Sequence, residues 1–150
     1  MPTMMTVSAP PCFITTPRST AERWAVRVLK ASESDGDLKT IADWAMFVGV
    51  SYSSLCESCR LLSIRPHDAR DFARILRVVI QSRANECQPE ALLDVSDRRT
   101  LNRLIARAGI RLDEPNRFAS IDEFLRRQQF VDANNQGLTA LRKMLNGAAA

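Results

Sequence analysis

Residues 41 to 62 read IADWAMFVGVSYSSLCESCRLL. Leu38, Ile41, Ala42, Ala45 and Met46 recur at the three-and-four spacing of a helix face, and the pattern breaks at Gly49. Glycine takes the positive φ that ends a helix, so a helix from Leu38 to Gly49 is expected. Ser51 is a natural N-cap, which predicts a second helix over 52–62. Ala42 is the small residue expected where the two helices cross, with Val50 and Leu55 filling the space between them.

Working outward, Ser19 and Glu22 have the spacing of a capping box in front of AERWAVRVLKA, and SESDGD (32–37) interrupts that helix. Downstream, SIRP is a turn. Pro66 suits the first turn of a helix whose stripe of Phe72, Ile75, Leu76, Val79 and Ile80 runs to about Ser82. PEALLDV (89–95) is expected to be a short helix, which Ser96 and Asp97 end and restart as RRTLNRLIARA, closed by Gly109. Ser120 and Glu123 box the start of IDEFLRRQQF, and a last amphipathic helix is expected from about Gly137 to Leu145. No stretch alternates with the period of a strand, so the fold class expected is all-α.

Of the 150 residues, 45% are hydrophobic and 25% charged, the balance of a globular protein with a packed core. The longest apolar run, ILRVVI (75–80), falls far short of the roughly 20 residues of a membrane span. MPTMMTVSAPPCFITTP (1–17) lacks the charged start and apolar run of a signal peptide and reads as a flexible tail. A cytoplasmic, nucleoid-associated location is therefore expected, without membrane partners. A net charge of +4 favours a polyanionic partner. Cys56, Cys59, Cys87 and His67 contain the donor types of a Cys3His zinc site. Against zinc, Cys59 lies four residues after Leu55 on the face a helix buries, and there is one C-x-x-C knuckle rather than two. Neither metal nor cofactor is expected. One histidine, no glycine-rich phosphate loop and no G-x-S-x-G context leave no catalytic constellation, so an enzyme is not expected.

DVSDRRTLNRLIAR (94–107) repeats the phrase of GVSYSSLCESCRLL (49–62): a turn, Val-Ser, then a helix with an inward leucine. Helix, short turn and second helix form the helix-turn-helix unit, and here two such units would be joined by the helix from Pro66, with Val95 and Leu101 as the second set of plugs. At IADWAMFVGVSYSSL, SIRPHDARDF and VSDRRTLNRLI the chain resembles the DNA-binding domain of the AraC/XylS family of bacterial transcription regulators, over roughly residues 38–109. Asp94 stands where that family usually has a turn glycine. The organisation expected is a tail (1–17), a helix and loop (18–37), a double helix-turn-helix (38–109) and a C-terminal helical extension (110–150). The resemblance implies a sequence-specific regulator that binds double-stranded DNA in the major groove, with another regulator or RNA polymerase as a further partner. The alternative is a protein-interaction adaptor or anti-activator that uses the same scaffold and holds its partner through the C-terminal helices.

The two copies differ in charge. Arg98, Arg99 and Asn102, at the N-terminal end of the second recognition helix, can offer paired donors to guanine and adenine edges, whereas Arg103 and Arg107 suit phosphate. Tyr52, Ser53, Ser54 and Arg60 are the first helix's candidates, with Glu57 among them as a repulsive charge. That helix is equally open to a structural or protein-binding role. Arg70, Arg74 and Arg77 are expected on one outward face of the linker helix, either solvated or following a phosphate ridge. Phe124, Leu125, Leu138, Leu141 and Leu145 must cover the core or meet a second chain; the intramolecular role is the one expected.

Overall fold

A computed structural model describes residues 18–85, 89–107, 121–128, 130–132 and 134–149, with the side chains of Pro89, Arg107, Ala148 and Ala149 excepted. Among the described residues the regular structure is entirely helical: α1 (Thr20–Ser32), α2 (Ile41–Val48), α3 (Tyr52–Leu61), α4 (Pro66–Asn85), a 3-10 turn (Pro89–Leu92), α5 (Arg98–Arg107), α6 (Ile121–Arg126) and α7 (Gln136–Ala149). Residues 1–17, expected as a tail, and 108–120, which hold Gly109, lie outside the described residues.

Side chains set most of the helix starts. Ser19 and Glu22 form the expected reciprocal capping box on α1, with bonds of 3.1 and 3.2 Å. Bonds from the backbone and hydroxyl of Ser19 hold the Glu22 carboxyl below its ordinary range. α2 begins at Ile41 rather than Leu38, because Thr40 is the cap and accepts from the Asp43 amide at 2.9 Å. It stops at Gly49, whose φ of 78° is left-handed, and the Val50 amide then returns to the Ala45 carbonyl. Ser51 caps α3 by accepting from the Ser54 amide at 3.0 Å. At the far end of α3 the left-handed residue is Ser63, with φ 59°.

α4 is the axis of the core, packed against α1, α2, α3, the 3-10 turn and α5. An aromatic column crosses it: Trp24 stacks on Phe72 at 6.1 Å, Phe72 on Phe124 at 5.6 Å, and Phe130 meets Phe72 at 5.0 Å. Such pairs contribute about 0.5–1.5 kcal/mol each beyond the area they bury. α7 lies along α1, burying Leu138 and Leu141, and Phe124 and Leu125 of α6 are also buried; Leu145 is half-buried. The C-terminal apolar residues thus join the core that α1 and α4 build. Asn135 caps α7 by accepting from the Gly137 amide, and its Nδ2 donates to the Leu62 carbonyl at 2.8 Å, pinning α7 to the end of α3. Gly137 sits so near Trp24 that a Cβ there would be 2.8 Å from the ring.

Two packing expectations are corrected. Ala42 is exposed, and the small residue turned inward from α2 is Ala45, because Ile41, Trp44 and Ala45 define the buried stripe. PEALLDV does not form an α-helix: after the 3-10 turn the chain is irregular from Leu93 to Asp97. An α-helix there would need the Asp94 amide to donate to the Glu90 carbonyl, while the Leu92 carbonyl, in the last turn, would need a partner from outside the helix. The Asp37 carboxylate takes the Asp94 amide instead at 2.9 Å, and Arg77 Nη1 holds the Leu92 carbonyl at 2.6 Å.

Candidate nucleic-acid interface

α5 is amphipathic in the plainest sense. Leu104 and Ile105 are buried and Leu101 half-buried, while Arg98, Arg99, Asn102 and Arg103 are exposed. Asp97 starts the helix: its carboxylate accepts from the Thr100 hydroxyl at 2.9 Å and from the Arg99 amide at 3.2 Å, and its carbonyl takes the Leu101 amide. Those bonds, the Thr100 hydroxyl first, hold the Asp97 carboxyl below its ordinary value. An anion at a helix N-terminus is favoured by the aligned peptide dipoles, so the start of α5 is locked without using its arginines. Among the described residues, Arg98, Arg99 and Arg103 form no ion pair. The side chain of Arg107 lies outside the described residues.

The other candidate helix is α3, which follows α2 after the three-residue turn Gly49–Val50–Ser51. Leu55 and Cys59 are fully buried and Cys56 nearly so, leaving Tyr52, Ser53, Ser54, Glu57 and Arg60 outward. Tyr52 is 53% exposed. On the preceding helix α2, Met46 is 81% exposed and Phe47 46% exposed. This apolar face was missed in the sequence, where Met46 fits the same helical stripe as the buried Ile41 and Ala45.

The α4 arginines require a correction. Arg74 is buried, not solvated: its Nε and Nη2 grip the two oxygens of Asp37 at 2.9 and 2.7 Å. Arg77 is buried too, donating to the carbonyls of Ser34, Asp35 and Leu92 at 2.6–2.7 Å. The column of Arg70, Arg74 and Arg77 faces the loop after α1, whose carbonyls and carboxylate need donors once water is excluded. Only Arg70 stays half-exposed, bonded to Asp71. A phosphate ridge is out of reach for Arg74 and Arg77.

Cys56 and Cys59 are free thiols facing the core, and burial pushes Cys59 up to about 11. His67 is exposed, with Nδ1 3.4 Å from Arg70 Nη1; Cys12 and Cys87 lie outside the described residues. Among the described residues no three metal-ligating side chains cluster, and no helix is long and apolar enough to cross a membrane. Comparison with protein-family models, curated proteins and solved structures gives no match to this chain.

Proposed function

We propose that the chain is a sequence-reading DNA-binding protein, a transcription regulator of cytoplasmic, nucleoid-associated location, with α5 as the principal reading helix and α3 as the second. The observation that carries this is α5 itself: a capped helix whose outward side offers three arginines and an asparagine, the arginines unpaired with any described carboxylate. In this reading Arg98, Arg99 and Asn102 reach base edges in the major groove, and Arg103 and Arg107 hold phosphates. Tyr52, Ser53, Ser54 and Arg60 add contacts from α3, at positions where the chain resembles AraC/XylS-type domains. Arg70 is available at the margin, and Arg74 is not part of the interface.

Binding that rests on phosphate neutralisation weakens steeply with salt. Titration of the chain with duplex DNA over a salt series should give a straight fall of log Kobs with log salt. Arg103→Ala should lower that slope by about one unit for every sequence alike. A salt-independent association, or none, removes the proposal.

A second reading, the interaction protein, draws on one specific feature. Met46 and Phe47, consecutive on α2, are large, apolar and exposed, as at protein contacts. A partner held this way would be another regulator or RNA polymerase, seated on α2 rather than on the C-terminal helices, whose buried apolar residues are already used within the chain. Loss of a co-purifying protein on Met46→Lys with DNA binding intact would favour it.

A further inference from the structure

We propose that Arg77 and the Arg74–Asp37 pair are positioning residues, fixing α5 relative to α2 and α3 so that the exposed helices present themselves to DNA at one separation. The proposal rests on the reading of α3 and α5 as DNA-facing elements.

Each guanidinium joins, directly or through Asp37, two segments of the chain that lead into exposed helices. The loop through Ser34, Asp35 and Asp37 leads into α2, and the segment through Leu92 and Asp94 leads into α5. Arg77 binds both, holding the carbonyls of Ser34 and Asp35 with Nε and Nη2 and that of Leu92 with Nη1. Arg74 binds Asp37, and the same Asp37 Oδ2 accepts from the Asp94 amide. Two junctions, a helical turn apart on α4, therefore tie the entry of one exposed unit to the entry of the other. Lys39 and Asp94 add a surface pair at 3.2 Å between the same two segments. α5 and α2 both pack on α4, which sets their general placement, and these polar bonds add the direct ties between the segments that lead into them.

Guanidinium suits the task. It keeps its charge when buried and offers five donors in one rigid plane, enough for three carbonyls on two segments. Burial makes each bond directional and costly to leave unmade, so alternative placements of the α5 entry are disfavoured. One added base pair moves a contact by about 3.4 Å along the duplex and turns it about the axis, a shift that a rigid pair of helices cannot follow.

The test uses two readouts in the full chain. Glu57→Cys on α3 and Ala106→Cys on α5, both exposed, carry spin labels, with Cys12 and Cys87 replaced by serine and the buried Cys56 and Cys59 kept. The unaltered network should give one narrow inter-label distance. Arg77→Met should broaden it while helix content and cooperative melting persist. If Arg77→Met does not fold, Arg77→Lys and Asp37→Asn carry the comparison, and both should broaden the distribution less. On the selected DNA site, a one-base-pair insertion between the segments protected by the two helices should weaken the unaltered protein about tenfold or more, and the variants by markedly less. A folded Arg77→Met with an unchanged narrow distance, or with an unchanged insertion penalty, overturns the proposal. Should the unaltered chain bind no duplex, the DNA reading fails by itself, and the distance measurement alone still decides whether the network positions α5.

Discussion

Asn102 and Arg103 are neighbours on one exposed turn, yet they are assigned different work, and substitution separates the two. Asn102→Ala should cost about 1–3 kcal/mol on the preferred site and little on other DNA, because a bidentate asparagine discriminates bases. Competition binding checks this; equal losses on all sequences would make Asn102 a phosphate contact. Arg74 behaves in the opposite way. Arg74→Met leaves the Asp37 carboxylate, 2% exposed, without its charge partner, and should lower stability by about 3–5 kcal/mol in urea unfolding. A nearly unaffected variant would mean the pair is dispensable. The exposure of Arg98, Arg99, Asn102 and Arg103 was legible in the sequence because Leu101, Leu104 and Ile105 mark the inner stripe three and four residues away. The fate of Arg74 was not, since its partner lies 37 residues off and only tertiary packing brings the two together.

Helix boundaries obey local chemistry, and they were read well where a side chain or a glycine dictates them. The capping box at Ser19, the Ser51 cap and the stop at Gly49 all stand where short-range rules put them. Gly49→Ala forces a Cβ into a left-handed residue with open space around it, so backbone strain alone should cost about 1–2 kcal/mol, read as a lower Tm. An unchanged Tm would deny that φ the role given to it here. The failure at PEALLDV has the converse cause: Asp37 withdraws the Asp94 amide from the local pattern, Arg77 holds the segment by its Leu92 carbonyl, and a 3-10 turn is what remains. α5 also carries a pH dependence. The Asp97 carboxyl titrates below its ordinary value of 3.8 when folded, so its contribution is present above that pH and is lost as pH falls through the lower folded value. Asp97→Asn should flatten the acid-side loss of α5 helicity; an unchanged acid profile would show that the cap is not ionised there.

At the scale of the molecule, α1, α4, α6 and α7 share one core, and its aromatic column from Trp24 through Phe72 to Phe124 places the C-terminal helices at its centre. The apolar stripes of α1 and α7 are legible in the sequence and point inward, as expected, but the pairing of the two is not, because the segments lie more than a hundred residues apart and a periodic stripe marks a buried face without naming its neighbour. Phe124→Ala should therefore cost about 3–5 kcal/mol, as a core aromatic does, and a chain ending at Arg117 should not fold cooperatively. A truncated chain that melts like the whole would contradict the single-core description. The same core holds the backs of α3 and α5, so their exposed faces act from a common support rather than from independent modules.

In the proposed function this common support presents α5 for reading DNA. The most direct test is selection of duplexes from a random pool by the full chain, repeated with Arg99→Ala and Asn102→Ala together. The unaltered protein should enrich a defined sequence, and preference at base pairs within it should be lost when the two α5 residues are replaced. Enrichment that survives this double substitution, or no enrichment above competitor DNA at low salt, would contradict the proposed function.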